Sequence, residues 1–189
     1  MRLAFIILLC GGLTYVEAQA QPPTPAKAAK AAVAKTPAKA AAPGSRNPAT
    51  LAQLMKGILF PSSNVVFFAQ GDNPNDVPQA KDPALAVNPL ASSYGKWEAV
   101  ENSSLALVEA ANLLTVPGRK CSNGLPVPVT NADWPKLVQG LRDAGIVAYK
   151  AAQSKNQDKI LDAADAMTTA CANCHDKYRE KPTPADRCK

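Results

Sequence analysis

The sequence predicts an all-α fold, an antiparallel four-helix bundle, on three observations. After residue 46, four stretches place apolar side chains at intervals of three and four, the spacing that lines one face of a helix. Nowhere do apolar and polar residues alternate as in a strand, and there is no Rossmann-type glycine cluster. Aromatics are only 5% of the 189 residues and much of the 47% apolar content is alanine, so the helices have little bulk to bury between them. A large apolar group bound inside the bundle would repair that deficit, because the buried group becomes core.

Residues 1–20 read as an export signal: Arg2 gives a positive start, Leu3 to Leu9 an apolar run, and Ala18-Gln19-Ala20 a small-x-small cleavage site. The run is far shorter than the roughly 20 residues that span a bilayer. Cys10 follows Leu9 rather than the small residue that lipid attachment favours. Residues 21–46 are low-complexity Ala, Pro and Lys. Repeated prolines forbid a continuous helix and nothing large is available to bury, which predicts a disordered linker. The formal charge of +6 is concentrated there: Lys27, Lys30, Lys35, Lys39 and Arg46 stand without an acidic residue. Residues 47–189 carry 15 basic against 14 acidic groups, so the domain offers no basic surface to a nucleic acid. The basic tail suits weak contact with an anionic membrane surface or an acidic partner, or serves as a solubilising spacer.

In the domain, Asn47-Pro48 predicts a helix start, and Leu51, Leu54, Met55 and Ile58 share a face from which Lys56 is turned away. Pro61 and the polar run Ser62 to Asn64 are expected to break or kink this helix before Val65 to Ala69. Gly71 to Pro89, rich in Pro, Asp and Asn, predicts a long irregular connection. A second helix from about Leu90 to Val116 carries Trp97, Val100, Ser104, Leu107, Val108, Ala111 and Leu114 along one stripe and stops at Pro117-Gly118. After Cys121 to Thr130, a third helix begins near Thr130 or Asp133 with Leu137, Leu141, Ala144, Ala148 and Ala151 inward. The fourth starts at Ser154 or Asn156; its stripe is Ile160 or Leu161, Ala164, Met167 or Thr168, then Cys171, Cys174 and Tyr178.

That last stripe contains Cys171-Ala172-Asn173-Cys174-His175, a C-x-x-C-H run of the kind that attaches haem covalently. Two thiols three residues apart on a helix can each form a thioether with a vinyl group on one edge of a porphyrin. The next residue, a histidine, can bind the iron. A zinc site would need two further ligands at short spacing, and Cys121 and Cys188 are too scattered to supply them. A thioredoxin-like pair would need a βαβ setting. His175 is the only histidine in the chain, which leaves no Ser/His/Asp set to assemble beside it. An exported chain enters an oxidising space, a bacterial periplasm, where spare thiols pair. With two cysteines in the haem run, the even remainder predicts a disulfide between Cys121 and Cys188 that fastens a mid-chain loop to the C-terminal tail.

The string from Cys171 to Arg179, at the end of a four-helix pattern, resembles the class II c-type cytochromes, the cytochrome c-prime family and its low-spin relatives. The resemblance covers about residues 47–179. It implies one covalent haem c, with Cys171 and Cys174 as thioether attachments, His175 as proximal iron ligand and Arg179 near the proximal site. Its low-spin branch takes a methionine from the first helix as distal ligand. Met167, one turn before Cys171, can reach only the porphyrin edge, so elimination nominates Met55. The expected function is a single-electron carrier in the periplasm that hands electrons to redox partner proteins and is not an enzyme. The alternative is a five-coordinate haem protein that binds NO or CO. Relatives often dimerise through their first two helices, which makes a homodimer an expectation here. Trp97, Phe67, Phe68 and Tyr178 are expected to fill core.

Overall fold

The computed structural model describes residues 47–180 and 183–188; the export signal and linker expected over 1–46 lie outside the described residues. Four long helices pack together: α1 (Leu51–Gly71), α2 (Lys96–Leu113), α3 (Trp134–Ser154) and α4 (Gln157–His175). A wider π turn, Asp176–Glu180, continues α4. In the packing α1 lies against α2 and α4, α2 against α3, and α3 against α4, so that each helix meets two neighbours around a ring. No strand forms among the described residues, which hold a single isolated bridge between Lys120 and Pro126.

The start of α1 differs from the expectation. Thr50 is the cap: its hydroxyl accepts the Gln53 N–H at 3.2 Å, and the Gln53 side chain accepts the Thr50 N–H at 2.8 Å, a reciprocal capping box. Asn47 instead donates its amide to the Pro117 carbonyl at 2.8 Å. Buried Arg119 donates to the carbonyls of Ala49, at 2.6 Å, and Leu113, at 3.1 Å, and so ties the entry of α1 to the exit of α2.

Pro61 does not break α1. Met55–Leu59 forms a π turn, in which the Phe60 N–H reaches back to the Met55 carbonyl. A proline ring inside an α-helix collides with the carbonyl four residues earlier; widening the turn just ahead relieves that collision and the helix runs on to Gly71.

The second helix starts later than expected, at Lys96. Leu90 lies in one of two short 3₁₀ turns, Pro83–Leu85 and Pro89–Ala91, where the Asn88 side chain accepts its N–H at 2.9 Å. Trp97, Val100, Ser104, Leu107, Ala111 and Leu114 are buried, as their stripe requires. The Trp97 indole donates to the Asn75 side chain at 3.0 Å, which moors the long connection. Phe67 is half-buried, but Phe68 is on the outer face of α1 rather than in the core.

Helices α2 and α3 approach closely at Gly145. A Cβ there would stand 2.7 Å from Val108 Cγ2 and 3.3 Å from the Ser104 carbonyl, so small residues set the spacing of this pair. Between α3 and α4 the chain turns on Lys155, in the left-handed region at φ 50°, and Asn156 caps α4 by accepting the Lys159 N–H at 2.9 Å. Ile160 and Met167, not Leu161 and Thr168, occupy the inner face.

Candidate functional site

One cavity of about 460 Å³ opens among the helices near the C-terminal end of α4. Leu51, Met55, Leu59 and Phe60 line it from α1, Trp134, Leu137, Val138 and Leu141 from α3, and Cys171, Cys174, His175 and Tyr178 from α4 and its extension. Ser122 and Cys188 close it from the loop and the tail. The structure therefore brings Met55, Cys171, Cys174, His175 and Arg179 to the wall of a single space, although more than a hundred residues separate the first from the rest. Met167, one turn before Cys171, is fully buried and stands outside this lining. Lys56, expected to turn away, is exposed yet borders the cavity.

Each candidate iron ligand sits where a helix widens. Met55 opens the π turn of α1, and His175 is the last residue of α4 before the π turn Asp176–Glu180. Such turns are rare and often mark functional positions, because a widened turn re-aims the side chains on it.

Cys121 and Cys188 are joined in a disulfide, with Cα atoms 5.1 Å apart, whereas Cys171 and Cys174 are free. Burial pushes the Cys171 thiol up, and it pushes Cys174 to about 11, with further contributions from the neighbouring Cys171 and Asp133 charges. Both are therefore protonated thiols at neutral pH, and thiols are much less readily oxidised than thiolates. The His175 imidazole is held below its ordinary range, first by burial and then by the Arg179 guanidinium. It is neutral at pH 7 and presents a nitrogen lone pair, the form that binds a metal.

The far end of α4 is fastened to the start of α3. The Tyr178 hydroxyl donates to Asp133 at 2.7 Å and accepts from the Asn131 amide at 3.2 Å, and Lys177 forms an ion pair with the same Asp133 carboxylate. Asp133 therefore latches two helices together rather than capping its own. Hydrogen bonds from Lys177 and then Tyr178 hold its carboxyl below the ordinary range near 3.8. A carboxyl lowered by folding adds stability above its unfolded pKa, and that contribution is lost as the pH falls through the folded value. The acid loss of stability below about pH 4 is expected to be shallower in Asp133→Asn than in the natural chain, read as urea midpoints across pH 2 to 6. Parallel curves would sink the latch.

Spacing in the sequence does not single out Trp134, a further residue of the cavity wall. It is 2% exposed, its indole donates to the Leu114 carbonyl at 3.1 Å, and its ring meets Tyr178 edge-on at 5.1 Å between centroids. It stands at the first position of α3, before any periodicity is established, so only its pairing with Pro135 signalled a helix start there. Trp134→Ala is expected to cost roughly 3–5 kcal/mol, measured by urea unfolding; a loss under about 1 kcal/mol would contradict its place in the wall.

Set against known proteins, the chain matches no family model, no curated protein and no solved structure. What the cavity can hold follows from its own chemistry. Among the described residues no three His, Cys, Asp or Glu side chains gather into a group that could hold a metal ion. The cavity volume is within the range of about 300–1,000 Å³ found for cofactor sites. Its walls are mostly apolar, and it offers two neighbouring free thiols, a neutral imidazole and a thioether. These residues fit an apolar macrocycle that brings its own equatorial ligands and takes up two sulfurs at its edge.

Proposed function

We propose that this chain is an exported monohaem c-type cytochrome that carries single electrons in the periplasm. Cys171 and Cys174 hold haem c by thioether bonds, His175 is the proximal iron ligand and Met55 the distal one. The observation that carries this reading is the meeting of the C-x-x-C-H residues and Met55 at one apolar cavity, from two helices that pack side by side. When bound, the haem supplies a one-electron redox couple. The protein attaches and orients it, and the apolar walls limit water at the iron. Arg179 borders the same space and favours the neutral form of His175. Nothing in this reading transforms a substrate, so the protein is a carrier and redox proteins are its partners.

Two measurements test it. Colour should stay with the polypeptide through acid–acetone extraction, and its loss would sink the haem assignment. The ferric absorption spectrum should be low-spin. A high-spin spectrum unchanged by Met55→Ala would replace the carrier with the five-coordinate reading, in which the distal face takes NO or CO.

A further inference from the structure

Three cysteines line the cavity, not two. Cys171 and Cys174 line it as free thiols, and Cys188 lines it from the tail in its bond to Cys121. The backbone seats Cys188 against the motif helix: its N–H donates to the Tyr178 carbonyl at 3.1 Å, about one turn beyond Cys174. The Asn123 amide, donating to the Arg187 carbonyl at 2.6 Å, and the Arg187 guanidinium, donating to the Glu180 carbonyl at 2.9 Å, hold the tail there. Cys121 is placed differently. It is 1% exposed and lies outside the cavity lining.

We infer that Cys121 protects haem attachment: by engaging Cys188 in a disulfide, it keeps that sulfur from pairing with Cys171 or Cys174. The inference rests on the haem reading above. Attachment requires each motif cysteine as a thiol, whose S–H adds across a vinyl C=C, sulfur to the carbon next to the ring and hydrogen to the terminal carbon. No net oxidation of the thiol occurs. A disulfide between Cys188 and a motif cysteine forms one S–S bond and breaks two S–H bonds. Its two electrons and two protons pass to a disulfide oxidant, which becomes a dithiol. The motif sulfur then has no hydrogen to add to a vinyl group. The cavity walls partly screen Cys171 and Cys174 from a dissolved oxidant, but they give no protection from a thiol that lines the same cavity and is held against the same helix, where proximity favours reaction.

The placement makes the two cysteines unequal, and that inequality is the test. Cys121→Ala, Cys188→Ala and the double variant all remove the same disulfide, so they share whatever stability it confers. Only Cys121→Ala leaves a free thiol in the cavity. Each full chain is produced with export in a host that matures c-type cytochromes. Haem surviving acid–acetone extraction is quantified, and non-reduced peptides are mapped by mass spectrometry. Cys121→Ala is expected to lose most of its covalent haem and to show Cys188 paired with Cys171 or Cys174. The Cys188→Ala and double variants should keep theirs. Equal haem in Cys121→Ala and the double variant, whether both high or both low, overturns the inference and leaves the haem reading intact. A natural chain without covalent haem overturns both.

Discussion

A chain carrying Cys171→Ala and Cys174→Ala is expected to emerge without covalent haem and with a loosened bundle. The packing explains why both losses should come together. Much of the buried core is alanine, including Ala69, Ala111, Ala148, Ala152 and Ala163, so the helices hold little bulk of their own, and the cavity of about 460 Å³ is space their side chains leave unfilled. An empty closed cavity costs about 24 cal/mol per Å³. For this volume the upper bound is on the order of 10 kcal/mol, comparable with the whole stability of a typical domain. Partial opening to solvent reduces that figure without removing it. The variant should keep most of its far-UV helical signal, lose near-UV structure and bind a hydrophobic dye, the signs of a bundle without fixed packing. A sharp, cooperative melt equal to that of the natural chain would show that nothing need occupy the cavity.

The second large effect is expected at Met55. Met55→Leu keeps nearly the same volume, so its cost in stability should stay below about 1.5 kcal/mol. It removes the one sulfur that α1 brings to the cavity. If that sulfur is the distal ligand, the ferric spectrum should change from low-spin to high-spin. The reduction potential should fall by on the order of 0.1 V, because a thioether ligand favours the reduced iron and axial ligands tune haem potentials over roughly 0.8 V. Met167→Leu serves as the comparison: it changes a fully buried core residue outside the cavity and should leave spectrum and potential alone. A response to Met167→Leu but not to Met55→Leu would reverse the assignment.

Helix placement was legible because burial obeys spacing. Leu51 and Leu54, Val100 and Leu107, and Leu141 and Ala148 turned inward where intervals of three and four put them. The wide turn at Met55–Leu59 was not legible. Proline in a helical run signals a break whenever only local propensity is weighed, and here packing on both sides of Pro61 holds the helix together while one turn loosens. The Thr50-x-x-Gln53 capping box was visible as a pattern but was overshadowed by Asn47-Pro48, whose side chain instead serves a contact made 70 residues away. Of the site, the thiols and imidazole could be read from a five-residue run. Trp134 and the Asp133 latch could not, because both owe their place to α4 packing across the start of α3.

The disulfide also gives the domain a topology. Cys121 and Cys188 are 67 residues apart, and all of α3 and α4 lies between them, so this half is a covalently closed loop while α1 and α2 form an open arm. A peptide cut at the Lys155 turn would leave both fragments tethered, and only a reductant would separate them. A cut in the connection between α1 and α2 would leave α1 held by packing alone, with no covalent tie to the loop. Unfolding such a cut chain would part the two candidate iron ligands without chemistry at sulfur, Met55 leaving with α1 and His175 staying in the loop.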